Sequence, residues 1–259
     1  MEILRASVYD FPHYYDLVYG SDWKAEFGFL RGSFERYAER TVHRVFEPAC
    51  GTGRLLFRLA KSGLDLSGVD LNERAVEYCN RRLLRHGLPA SAWVADMAEF
   101  HLSEEVDAAF NMINSFRHLL DETTALRHLQ LMARSLRHGG LYILGFHMTP
   151  TRGETTDEEF WSARRGHLAV NSHLWTRKRD LSRRLEHCGM TYDVHTPTRS
   201  LRLVDDMMFR TYTWSQVQEL LEKVPAFQIV GAHDFAYDLN NQTRVTESTE
   251  DVVLVLKRI

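Results

Sequence analysis

The segment 47–53, Glu-Pro-Ala-Cys-Gly-Thr-Gly, restricts this chain more than any other. Before it lies a short apolar run, residues 42–47, of strand type. After it Leu55, Leu56 and Leu59 share one face of a helix. Gly51 and Gly53 allow a tight turn between the two and let a ligand approach the backbone. The following helix then turns free N–H groups toward that ligand.

The alternation continues downstream. Strands are expected at 64–70, 91–96, 106–112 and 141–148. Between them, one helix is capped by Asn72 and stops at Gly87. Another is capped by Asp121, carries the stripe Leu126, Leu129, Met132, Ala133 and Leu136, and ends at Gly139-Gly140. The strands are continuous apolar runs, as in a sheet covered on both faces. Right-handed crossovers then give an α/β fold with a doubly wound, mostly parallel seven-stranded sheet, Rossmann-like in type. Thr213 caps a further helix, and runs 227–235 and 251–259 supply the last two strands.

Two segments depart from that alternation. Residues 13–40 read as helical, with Trp23, Phe27, Leu30, Phe34 and Tyr37 in one apolar stripe. Residues from 167 to 213 alternate with a period of two, which predicts an antiparallel β insertion after strand 5. The domain division follows: an N-terminal helical lid at 1–40, a ligand-binding α/β domain at 41–150 and 213–259, and an antiparallel cap at 151–212.

Three acids close three successive strands. Asp70, followed by Leu71, sits where a carboxylate accepts both hydroxyls of a ribose. Asp96 can accept from an adenine amino group, with the Met97 thioether on the ring. Glu47 can organise the glycine turn and meet a cationic amino group. Here the chain resembles the class I methyltransferase family that uses S-adenosyl-L-methionine, over residues 43–148 and more loosely the last two strands. E-x-x-x-G-x-G looks like that family's first motif, Asp70 like its ribose-binding acid, and Asp96 with Met97 like its adenine-binding pair. Asn111 and Met112 match its segment beside the transferring methyl.

The resemblance implies that Glu47, Ala49, Gly51 and Gly53 hold the methionine part of the cofactor. It also implies that Tyr15 or Tyr19, in a lid-like stretch, closes over it. A dinucleotide is the rival ligand, but Leu56 stands where its loop wants a third glycine, and an acid beside a pyrophosphate is unhelpful. An NAD(P)-dependent oxidoreductase and a non-catalytic nucleoside-binding module therefore stand as the alternatives.

The acceptor should lie beyond the ends of the fourth and fifth strands. That region holds Asn114 and Arg117 as candidate substrate contacts, and His118 and His147 as candidate bases. Aromatic and basic residues of the insertion, among them Trp161, Arg165, Arg177, Arg179 and Arg199, suggest either a solvated face, a dimer interface, or an acceptor bearing carboxylate or phosphate.

A net charge of -3 argues against a nucleic-acid partner, and neither a D/N-P-P-Y/F segment nor a Pro-Cys nucleophile is present. A small-molecule methyl acceptor is the expected partner. No His/Cys cluster has metal-ligand spacing, no run is long enough to span a bilayer, and three dispersed cysteines suggest a reducing, cytoplasmic setting.

Overall fold

The structure is a computed structural model describing residues 1–259. The chain opens with strand β1 (Glu2–Arg5), a 3-10 turn at Val8–Asp10, and helices α1 (Pro12–Tyr19) and α2 (Lys24–Tyr37). The alternating core follows as β2 (Arg44–Pro48), α3 (Leu56–Lys61), β3 (Asp65–Asp70), α4 (Glu73–Arg85), β4 (Ala92–Val94), β5 (Val106–Asn111), α5 (Glu122–Ser135) and β6 (Leu136–His147). Four long strands come next: β7 (Glu158–Arg165), β8 (Leu168–Asp180), β9 (Leu185–His195) and β10 (Ser200–Arg210). Helix α6 (Trp214–Glu222) and strands β11 (Phe227–His233) and β12 (Asp251–Arg258) complete the chain.

Seven strands form one sheet in the order β11-β12-β6-β5-β2-β3-β4. The five from β2 to β6 are parallel; β12 adds antiparallel to β6, and β11 antiparallel to β12. Their apolar continuity has a plain cause. Val45, Ala108, Phe110, Ile143 and Val253 pack on α2, α3 and α4, while Phe46, Ala109, Tyr142, Leu144 and Val252 pack on the face with α5 and α6. Adjacent residues point to opposite faces, so a sheet covered on both sides needs apolar residues at every position. Each Val, Leu, Ile or Phe side chain so buried stabilises the fold by about 1.5–3 kcal/mol.

The caps are local. The Asn72 side chain accepts from the Ala75 N–H and that of Asp121 from the Thr124 N–H, while Thr213 and Gln216 form a reciprocal capping box on α6.

A second sheet, ordered β1-β10-β9-β8-β7, is an antiparallel meander with β1 added parallel to β10. Its inner face and α1 share a third core, including Leu17, Val170, Met190, Tyr192 and Phe209. No helix is long and apolar enough to cross a membrane.

The structure differs from the sequence expectations at three places. The stretch expected to be helical over 13–40 is two helices, parted after Tyr19, where α1 stops at Gly20. The expected lid of residues 1–40 thereby divides: β1 joins the cap sheet, α1 packs beneath it, and α2 belongs to the core of the main sheet. Gly139-Gly140 does not end α5, which stops at Ser135; the pair lies inside β6, with Gly139 at φ 78° beside a register shift against β5. A side chain on Gly140 would press to 2.8 Å on the carbonyls of Asp107 and Arg137, so the glycine serves strand approach rather than helix termination.

Candidate functional site

The turn after β2 takes left-handed backbone at Ala49 (φ 56°), Gly51 (φ 52°) and Gly53 (φ 66°). Gly53 has a second constraint: a Cβ there would lie 2.3 Å from the Cys79 Sγ on α4. The turn is clamped from below by β3, because the Asp70 carboxylate accepts the Gly51 N–H and the Asn72 N–H, both at 2.8 Å. Burial raises the Asp70 pKa, and those two N–H groups oppose the rise.

Above this turn lies a cavity of about 1080 Å³, at the carboxyl ends of the parallel strands and beneath α1 and the cap sheet. The size accommodates a nucleoside-sized ligand together with a second molecule. Ala49, Gly51, Asp70, Leu71 and Met97 all line it, as do Tyr15 and Tyr19 from α1. The tyrosine rings sit 4.7 Å apart, and Tyr19 meets Trp161 of β7 edge-on at 5.6 Å.

Helix α1 is held to this floor by Asp16. That buried carboxylate pairs with Arg82 of α4 and accepts from Tyr78 Oη (3.1 Å) and Thr52 Oγ1 (3.2 Å).

Glu47 is buried and does not line the cavity. Its Oε2 has no hydrogen-bond partner, and burial pushes its carboxyl well above the usual carboxylate range, against the pull of Arg54. A buried carboxylate oxygen without a donor is costly. Gly53 also lies off the cavity wall and acts through the shape of the turn. Asp96 is only half-buried; its Oδ1 caps the Ala98 N–H at 2.7 Å, and its neighbours Ala95 and Met97 line the wall in its place.

At the end of β5 the expected pair is displaced. Asn111 is buried with its Nδ2 donating to the Pro48 carbonyl (2.9 Å), and Met112 packs behind Gly145. Neither reaches the cavity; Ile113, Asn114 and Ser115 do. Ile113 (φ 54°) and Asn114 (φ 65°) are consecutive left-handed residues, and for β-branched Ile113 that is real strain. The turn is braced by the Asn114 Oδ1, which accepts the His147 N–H at 2.7 Å.

The expected substrate contact Arg117 is turned away. It is buried, ion-paired with Glu186 of β9, and donates from Nε to the Arg210 carbonyl at 3.0 Å, so it fastens the cap to the main sheet. The arginines of the insertion are likewise engaged elsewhere: Arg177 with Asp206, Arg179 with Glu186 and Asp157, Arg199 with Glu2. No arginine or lysine lines the cavity. The expectation of an anionic acceptor held by these arginines is therefore withdrawn.

Both candidate bases line the cavity. The His118 ring meets Tyr9 Oη at 2.9 Å through Nε2, and burial, with the Arg117 charge, lowers its pKa to about 4. His147 donates Nδ1–H to Asp251 at 2.5 Å and faces Glu159 Oε1 across 3.6 Å through Nε2. Tyr9, Glu159, Phe235 and Tyr237 also line the cavity and were not singled out from sequence. Only for Tyr9, six residues before Tyr15 in the same aromatic stretch, did a signal exist.

Residues 45–140 match the family model described as a methyltransferase domain. The whole chain superposes on a solved S-adenosylmethionine-dependent methyltransferase from Clostridium acetobutylicum (TM-score 0.77, 17% identity, 96% of this chain and 97% of that one). It also superposes on the sugar N-methyltransferase KedS8 from Streptoalloteichus (TM-score 0.74, 19% identity, 99% and 95%). At that identity the likeness is one of fold. A Talaromyces variabilis S-adenosyl-L-methionine-dependent Diels-Alderase is 31% identical over 106 residues, 39% of this chain and 35% of its own. The chain spans 35% to 57% of the length of the curated relatives it matches.

Proposed function

We propose that this chain, which carries a methyltransferase domain on the class I fold, binds S-adenosyl-L-methionine and moves its methyl group to a small-molecule acceptor. One observation carries the reading. Gly51, Asp70 and Met97, from three successive strand ends, converge on one cavity whose size suits a nucleoside and a second molecule.

The residues present fit the cofactor. Asp70 has spare lone pairs for ribose hydroxyls, and Met97 with Ala95 offers an apolar wall for a base. The orphaned Glu47 oxygen, beside the glycine turn, suits a ligand that brings an amino group and no phosphate. A pyrophosphate in the cavity would meet Asp70 and no lysine or arginine, which speaks against NAD(P). When bound, the cofactor supplies a methyl already activated on a sulfonium.

The chain's own work is then chiefly alignment and exclusion of water. Helix α1 and the cap cover the cavity, with Tyr15, Tyr19 and Trp161 as an aromatic wall. Neutral imidazole at His118 or His147 accepts the acceptor's proton where it carries one. Asn114 shapes the acceptor end, and Asn111, Met112, Gly53 and Asp96 support the cofactor end from behind. The three free, buried cysteines suit a reducing compartment, so a cytoplasmic setting belongs to this reading, as does a dimer formed through the outer face of the cap.

Calorimetric titration with S-adenosylmethionine, S-adenosylhomocysteine and NADPH tests the cofactor. Both adenosyl ligands should bind, NADPH should not, and Asp70→Ala should weaken them at least ten-fold. Binding of NADPH, or indifference to Asp70→Ala, would refute the reading. Because a relative's name couples this cofactor to a Diels-Alder reaction, transfer itself is checked by mass: the acceptor must gain one methyl and S-adenosylhomocysteine must appear.

A further inference from the structure

We propose that the methyl acceptor is an amine that arrives as an ammonium ion and docks between Glu159 and His147. This rests on the methyltransferase reading above and adds to it the acceptor's chemical class.

Glu159 stands on β7 and His147 at the end of β6, so the corner forms only where the cap meets the main sheet. The Glu159 carboxylate is three-quarters shielded from solvent, with side-chain exposure of 25%, and faces the His147 Nε2 across 3.6 Å. The other imidazole nitrogen is committed to Asp251. A carboxylate accepts only, so Nδ1 carries the proton and the Nε2 lone pair faces the cavity when the ring is neutral.

Glu250 adds negative charge nearby, and the Arg117 guanidinium, spent on Glu186, is the one further cation acting on Glu159. Burial raises the Glu159 pKa, and a cation placed beside the carboxylate would oppose that rise. With no lysine or arginine on the cavity wall, this corner repels a carboxylate or phosphate and leaves a neutral hydroxyl unable to offset the buried charge. An ammonium satisfies both facing atoms. Phe235, packed on the His147 ring at 5.0 Å, and the Tyr237 ring stacked on Phe235 at 5.8 Å supply faces for cation–π contact.

The chemistry balances. The ammonium gives one proton to His147 Nε2, and the imidazolium formed is held between Asp251 and Glu159. The freed nitrogen lone pair forms the N–C bond as the bond from that carbon to sulfur breaks, with its electron pair staying on sulfur. The product is a methylated ammonium.

The test uses the full chain saturated with S-adenosylhomocysteine and three probes of one shape: benzylamine, benzyl alcohol and benzoate. Calorimetry should show benzylamine binding at least ten-fold tighter than the other two. Glu159→Gln should erase that preference while leaving S-adenosylhomocysteine affinity unchanged, which also shows that the variant is folded. Equal affinities in wild type, including no detectable binding of any probe, overturn the proposal, as does a preference that survives Glu159→Gln. Failure of S-adenosylhomocysteine to bind wild type would instead remove the methyltransferase reading, and this inference with it.

Discussion

Replacing Gly53 by alanine should cost stability in two separable parts. The residue holds φ 66°, and a left-handed conformation costs a non-glycine residue about 1–2 kcal/mol. The new methyl would lie 2.3 Å from the Cys79 Sγ, an overlap that forces α4 away from the turn; overpacking of this kind costs about 1–3 kcal/mol. The sum, about 2–5 kcal/mol, is a large share of an ordinary domain's stability.

The two parts separate in a double-mutant cycle with Cys79→Ala, which removes the sulfur and leaves the backbone strain. In that background Gly53→Ala should cost only the conformational part, giving a coupling of about 1–3 kcal/mol. Urea denaturation, read as midpoint shifts at constant m-value, measures all four corners. The S-adenosylhomocysteine affinity should fall in the single variant and partly return in the double. If the two substitutions add within about 0.5 kcal/mol, the contact between turn and helix does not constrain Gly53, and the reasoning fails.

Two further outcomes follow from charges that the fold buries. The Glu47 carboxyl has a folded pKa raised by burial, so its contribution is fullest below the ordinary carboxylate pKa of about 4.3 and is lost as pH rises through the folded value. Glu47→Gln should therefore gain stability over the ligand-free wild type as pH rises, yet bind S-adenosylmethionine more weakly; a pH-independent difference in midpoint would contradict this. His118 has the opposite sign: its folded pKa of about 4 lies below the unfolded 6.5, so its share of stability is whole above pH 6.5 and is lost as pH falls toward 4. The loss amounts to about 3 kcal/mol, and His118→Asn should flatten the acid limb of the stability curve by that much in denaturation from pH 7 to pH 4.

Legibility of the fold tracked how local its causes are. The main sheet was readable because strands buried on both faces must be apolar throughout, as Leu141 to Leu144 are. The caps at Asn72, Asp121 and Thr213 act within three residues of themselves. Strand β1 was not readable: its four residues are exposed, show no period, and find their partners at residues 201–204.

The site divided in the same way. The glycine turn and Asp70 lie in sequence as they lie in space. The acceptor end does not, since Glu159, His147 and Asp251 come from three strands of two sheets. The insertion's arginines misled because their acids sit on other strands: Asp206 for Arg177, Glu186 for Arg179. Composition shows a guanidinium but not whether it is already paired. At the end of β5, the family resemblance pointed to Asn111 and Met112, and the left-handed Ile113 and Asn114 instead set the wall two residues on.

The stitching of α1 into the cap by β1 makes the two behave as one mechanical part. Since β1 pairs with β10 just ahead of α1, and α1 itself packs on the cap's inner face, helix and sheet share one core. Two buried ion pairs, Asp16 with Arg82 and Glu186 with Arg117, pin that joint roof to the main sheet from opposite parts of it. The cover of the cavity is thus one packed body with two moorings, and cutting either one loosens helix and sheet together.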